Sequence, residues 1–367
     1  MIVGFRCGAI NEPYKFAGIS HFVEHLMFKS KSRESSAKMM SRFNEIGAQW
    51  NAHTELDYTI YYVKCEIKHA KEAMNALVNV VRSFEISEAE FKKEKRIVSE
   101  EISINPDNSK NVFRLAHIGT AYNNSVGGTE TSLNAITLED ARAYHAFHYQ
   151  QPILVYCCNK KHLKNIESWI GTTRPYSIPS LIDVNDRRML GAASRVYSHQ
   201  KKGHVESCKL AYLSYPMYDP RTYTCDLIAF CLSARLFDEL REKRGMIYSI
   251  HVKNEAHAHA GCIIIKFESA NHDIGTILRI VMKEIGDLSH KRLQSYRKKF
   301  DRKQRVLESD PWNATFRAMK QELYHHKQED HVLIPDFDFK ELFNPIRLAY
   351  NCKTSVPLKT LEKIVGL

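Results

Sequence analysis

At 367 residues the chain is too long for one small core and has the length of two ordinary domains. An apolar fraction of 44% excludes a disordered chain, and no run approaches the roughly 20 apolar residues that a membrane helix needs. A formal charge of +11 fits nucleic acid, an acidic surface or simple solubility and decides among none of them. The N-terminus lacks the basic-then-apolar plan of a secretory signal. The nine cysteines show no CxxC spacing, and Cys157 and Cys158 are adjacent, which reads as buried thiols rather than a disulfide framework. The expectation is a soluble intracellular protein in a reducing compartment, the cytoplasm first, with an organelle left open.

In chain order, the hydrophobic patterning predicts a strand over Ile2 to Gly8 and helical segments from Ser20 to Ile46. Two strands follow in "AQWNAHTELDYTIYYVKCE", then helices in "HAKEAMNALVNVVRSF" and "SEAEFKKEKRIVSEEIS". A further helix, "TLEDARAYHAFHY", leads into the compact apolar run "PILVYCC". Residues 172–194, richer in Pro, Ser, Asp and Gly, read as a linker. Beyond it the order recurs: strand "CKLAYLSYPM", long helix "TYTCDLIAFCLSARLFDELREKR", strands "MIYSIHVKN" and "GCIIIKFES", then helices "DIGTILRIVMKEIGDL" and "SHKRLQSYRKKFDRKQRVL". Two halves with one order of elements predict a duplicated α+β fold, each copy a sheet covered by helices on one face. The expected domains are residues 1–171 and 195–367.

The first predicted helix carries "AGISHFVEHLMFKS", in which His21, Glu24 and His25 interrupt an apolar run. Spacings of three and four residues put all three on one helical face. Two histidines one turn apart can both turn a ring nitrogen to one Zn²⁺, but a catalytic zinc takes three protein ligands and keeps a position for water. The helix "SEAEFKKEKRIVSEEIS" offers candidates for the third: Glu94 and Glu101 lie two turns apart on one face, and Glu100 points about 100° away from Glu101. Ser87 and Glu90 form a capping-box pattern at its start. "HVKNEAHAHAG" contains His251, His257 and His259, is not completed to a metal site and reads as an exposed strand end. The basic stretch from Lys291 to Arg305 reads as a solvated helix, so nucleic acid is not an expected partner.

"HFVEH" is the inverted zincin motif HxxEH, and the chain resembles the pitrilysin family, which includes insulysin and the mitochondrial processing peptidase. The family's distal pair of glutamates matches Glu94 and Glu101, at offsets of 101 − 94 = 7 and 101 − 25 = 76. "FNEIGAQWNAHTELDYTIYY" is similar to the family's substrate-binding edge strand, with Asn51 and Ala52 at the matching positions. "LREKRGMIYSI" is similar to its Arg and Tyr seven residues apart, here Arg241 and Tyr248.

The resemblance implies a clamshell-like pair of homologous domains, the first holding one Zn²⁺ per chain on His21, His25 and Glu101. Glu24 is then the general base, Glu94 orients His21 or His25, and Arg241 and Tyr248 reach substrate from the second half. It also implies a metalloendopeptidase acting on peptides or extended protein segments, paired as a homodimer or a heterodimer with a related subunit. The rival is a non-catalytic subunit of a larger complex, which the intact motif opposes. The chain departs from the family in beginning on what resembles the second strand, in the short stretch "YNNSVGGTE", and in divergent residues after Pro311.

Overall fold

The computed structural model describes residues 1–30, 36–82, 84–104, 111–150, 152–155, 199–200, 205–270, 273–324 and 333–366. The expected linker at 172–194 and the pair Cys157 and Cys158 lie outside the described residues. The chain forms two compact units: Met1–Asn108, Asn124–Val184 and Leu307–His326 make the first, and Ser109–Asn123, Asn185–Val306 and Lys327–Leu367 the second. The sequence reading gave each unit one uninterrupted block. The structure instead places residues 109–123 with the second unit and 307–326 with the first.

In the first unit, strands β1 (Ile2–Phe5), β2 (Gln49–Thr54), β3 (Thr59–Lys64) and β4 (Ile153–Val155) form an antiparallel sheet in the order β2-β3-β1-β4. Helices α1 (Ile19–Met27), α2 (Ser36–Glu45), α3 (Ala70–Arg82), α4 (Glu88–Ile104), α6 (Glu130–Ala135) and α7 (Leu138–His148) accompany it. Strand β1 is apolar throughout and buried throughout because it is covered on both sides. Val3 and Phe5 join Phe22, Leu26, Tyr61 and Leu77 in one core cluster. Ile2, on the opposite face, joins Tyr58 and Ile60 against Met319 and Leu323 of α11 (Pro311–Leu323). Gly4 makes that approach possible, since a Cβ there would stand 3.2 Å from the Met319 sulfur. Met319 is fully buried, so Met319→Ala should destabilise the chain by about 2–5 kcal/mol, read as a lower urea midpoint with zinc binding retained by the folded fraction.

The second unit repeats the plan. Strands β6 (Glu206–Ser214), β7 (Ser249–Ala256), β8 (Gly261–Ser269) and β9 (Leu348–Lys353) stand where β1, β2, β3 and β4 stand in the first sheet. The full order is β5-β9-β6-β8-β7, with β5 (His199–Gln200) added in parallel on β9. Helices α8 (Arg221–Phe237), α9 (Ile274–Gly286) and α10 (His290–Ser309) follow the order of the first half. Helix α5 (Val112–Ala116), which follows α4 in the chain, packs on β6, β8 and β9, while α11, which follows α10, packs on β1 and β4. Each sheet thus has its second face covered by a helix encoded in the other half. An apolar stripe says that a helix must be covered, not which sheet does it, so the sequence could not show this exchange.

The residues after Pro311 supply α11, a short α12 (Phe339–Leu342), β9 and α13 (Leu358–Val365). The pairing of β9 with β6 sets Cys352 directly opposite Cys208, their Cα atoms 4.2 Å apart. Strand register, not local spacing, brings together these two residues 144 apart. Cys7, Cys65, Cys225, Cys231 and Cys262 are free. Helix α10 buries Leu293 and Phe300 and exposes Lys291, Lys298, Lys299, Arg302, Lys303 and Arg305. Among the described residues, no helix is long and apolar enough to cross a membrane.

Candidate metal centre

The site is built on α1, whose start is fixed from outside the helix. Gly18 adopts φ +92° at the N-cap, and both carboxylate oxygens of Glu12 accept first-turn N–H groups, from Gly18 at 2.6 Å and Ser20 at 2.9 Å. Burial pushes the Glu12 carboxyl up to about 7, with those N–H groups opposing the shift. A Cβ on Gly18 would lie 2.7 Å from the carbonyl oxygen of Gly127. Gly18→Ala should therefore cost about 1–3 kcal/mol of folding stability, measurable by urea unfolding of the metal-free protein. Phe22, Val23, Leu26 and Met27 are fully buried and fix the helix's rotation.

That rotation presents His21 and His25 to α4, which lies alongside through Phe22 and Phe91, ring centroids 5.1 Å apart, and Glu24 to Thr54 of β2. Ser87 Oγ accepts the Glu90 N–H at the start of α4. Two turns of α4 then separate Glu94 from Glu101. His25 Nδ1 is 3.1 Å from Glu94 Oε1, and its Nε2 is 3.5 Å from Glu101 Oε2. His21 Nε2 is 3.8 Å from Glu101 Oε1, and its Nδ1 is buried with no hydrogen-bond partner. Of the two histidines that Glu94 could orient, the structure pairs it with His25. Lys29 Nζ stands 3.7 Å from the other Glu94 oxygen.

The electrostatics follow from this packing. Burial, with His25 and His53 nearby, lowers His21 to about 4, so its ring is neutral at pH 7. Burial alone would lower His25, but the Glu94 hydrogen bond and the surrounding carboxylates raise it above its ordinary value. Glu94 is held below the usual carboxylate range, because the His25 hydrogen bond and Lys29 outweigh the effect of burial. Glu24 is raised by burial, against the hydrogen bond it accepts from Thr54.

This donor set fits a small divalent cation. One ligand atom each from His21, His25 and Glu101 can be chosen so that all lie within 4.8 Å of one another. His25 Nε2 lies 3.5 Å from one Glu101 oxygen and His21 Nε2 3.8 Å from the other, distances that approach the about 3.3 Å expected between tetrahedral ligands of zinc at 2.0–2.1 Å. A His25 ring that donates through Nδ1 to Glu94 carries its lone pair on Nε2, the nitrogen that faces Glu101. Two nitrogens and one carboxylate leave room for a water, as catalytic zinc sites do.

The other expected residues divide between the units. Asn51 and Ala52 lie on β2, the end strand of the first sheet; Ala52 is buried, Asn51 is exposed, and Asn51 Oδ1 accepts the Ala52 N–H at 2.9 Å. Arg241 and Tyr248 belong to the second unit. Arg241 sits in a π-wound turn, Asp238–Glu242, that continues α8, and its guanidinium is 5.8 Å from the centroid of the Tyr248 ring. Tyr248 is 84% exposed.

The sequence reading missed three contributors. Thr54 Oγ1 donates to Glu24 Oε2 at 2.6 Å, and the alternation of β2 already placed Thr54 on the inward face with Ala52. Glu12 and Lys29 carried no local signal. His257, expected on an exposed strand end, is instead buried in the second unit, its ring 4.9 Å from Phe113 of α5. His251 is exposed, and among the described residues no second group of metal-ligating side chains forms.

Two family models match the chain: insulinase (peptidase family M16) over residues 1–132, and the peptidase M16 inactive domain over residues 161–307. An uncharacterized zinc protease of Bacillus subtilis, YmxG, is 27% identical over 273 residues, 70% of this chain and 65% of that protein. The beta subunit of human mitochondrial-processing peptidase is 29% identical over 155 residues, covering 40% of this chain and 31% of that one. A Helicobacter pylori protease shares the fold with a TM-score of 0.77 at 17% identity, covering 96% of this chain and 93% of that one. Both halves of the sequence, with their matching sheets and the HxxEH helix in the first, are accounted for by one assignment: the chain belongs to the insulinase family, peptidase family M16.

Proposed function

We propose that the chain is a zinc metalloendopeptidase whose centre lies wholly in the first unit. His21 Nε2, His25 Nε2 and a Glu101 oxygen hold the metal, and Glu94 fixes the His25 tautomer. Bound there, zinc supplies an acidified water and polarises the scissile carbonyl. Glu24 accepts the proton of the attacking water and returns it to the leaving amine, a role suited to a carboxylate whose affinity for protons is raised by burial. The observation that carries this reading is the convergence of two ring nitrogens and one carboxylate, with the buried Glu24 between the two histidines in sequence.

Substrate lies extended along the open side of β2 and adds a strand beside Asn51 and Ala52. Arg241 and Tyr248, exposed and adjacent in the second unit, bind the substrate carbonyl or stabilise the developing oxyanion. The chain pairs as a homodimer or as a heterodimer with a related subunit, and the name of the human relative, a beta subunit, supports an assembly of more than one chain. The test is cleavage of an internally quenched peptide library by the zinc-loaded chain, lost on chelation and restored by zinc. A chain that binds no zinc, or that binds it and cleaves nothing in any pairing, would favour a non-catalytic subunit instead.

A further inference from the structure

We infer that Thr54 is a positioning residue for Glu24, the group that ties the substrate-accepting edge strand to the base; this rests on the function proposed above. Thr54 closes β2, and its hydroxyl reaches Glu24 Oε2 at 2.6 Å with both side chains buried. The direction of this hydrogen bond is set by its neighbours. Thr59 Oγ1, 3.5 Å from Thr54 Oγ1, has a nearer acceptor in the Cys7 carbonyl oxygen at 2.9 Å. The Thr54 hydroxyl therefore spends its proton on Glu24. A carboxylate has two equivalent oxygens, and this contact makes them inequivalent. Oε2 is engaged by protein, which leaves Oε1 as the oxygen to serve the reacting water.

A buried glutamate without that partner has several rotamers to choose from, and productive proton transfer needs one of them. Because Thr54 lies three residues along β2 from Asn51, the strand that receives the peptide also sets the aim of the base. A displacement of β2 would therefore move the peptide carbonyl and Glu24 together. Among the described residues Thr54 hydrogen-bonds to Glu24 and Thr59 and to none of the expected metal ligands His21, His25 and Glu101.

The test compares Thr54→Val, which keeps the shape and removes the hydroxyl, with Thr54→Ser, which keeps the hydroxyl. Both variants should retain the wild-type zinc content. On an internally quenched peptide that wild type cleaves, Thr54→Val should lose about 10–100-fold in kcat with KM little changed, and Thr54→Ser should keep most of the activity. In the metal-free protein, Thr54→Val should lower the urea midpoint, and the shift should vanish in a Glu24→Ala background. Equal kcat per bound zinc in wild type and Thr54→Val, or equal midpoint shifts with and without Glu24, would overturn the inference. If Glu24→Gln itself cleaves as wild type does, the proposed function fails instead, and the metal-free cycle still reports whether Thr54 and Glu24 are coupled.

Discussion

Glu24→Gln will bind zinc as wild type does and will cleave peptides about 10²–10⁴-fold more slowly. The substitution keeps the size of the side chain and an oxygen that can accept from Thr54, so the packing around α1 is preserved. What it removes is the ability to take a proton. Glu24 is buried and its carboxyl is raised in pKa by that burial, which brings its basicity closer to the operating pH than an exposed glutamate's. Zinc content by elemental analysis and kcat on the same preparation separate the two effects. Full activity with zinc bound would remove Glu24 from the mechanism, and loss of zinc would show that the substitution had disturbed the ligands.

Glu101→Ala will lose both metal and activity, because two histidines alone do not complete a zinc site. Glu101 is the residue that faces both rings, 3.8 Å from His21 Nε2 and 3.5 Å from His25 Nε2. Glu94 has a different neighbour: it meets His25 at Nδ1, on the far side of the ring from Glu101. Glu94→Gln should therefore weaken zinc binding by about 10–100-fold rather than abolish it. Competition with a chelator of graded strength reads both. If Glu94→Gln lost zinc as completely as Glu101→Ala, the roles of the two glutamates would have to be exchanged.

These two glutamates also show what was legible in the sequence. Their seven-residue separation put them on one face of α4, and the three- and four-residue spacing of His21, Glu24 and His25 did the same on α1. Which histidine Glu94 meets was not legible, since that depends on the offset and rotation of α1 against α4. Thr54 stands between these cases. Its inward direction follows from the alternation of β2, but its contact with Glu24 requires the strand and the helix to be brought together.

The same division holds for the fold. The repeated order of strands and helices is written in the two halves, and the sheets realise it with corresponding strand orders. The exchange of α5 and α11 is not, because an amphipathic helix specifies an apolar partner without specifying whose. The juxtaposition of Cys208 with Cys352 and the burial of His257 under Phe113 have the same origin. By itself the sequence determined the duplicated α+β plan and the residue types of a metal site, because helical and strand periodicities are local and can be read from spacing. Only the tertiary structure decided which carboxylate meets which histidine, which helix covers which sheet and what aims Glu24, because those contacts are set by packing between segments far apart in the chain.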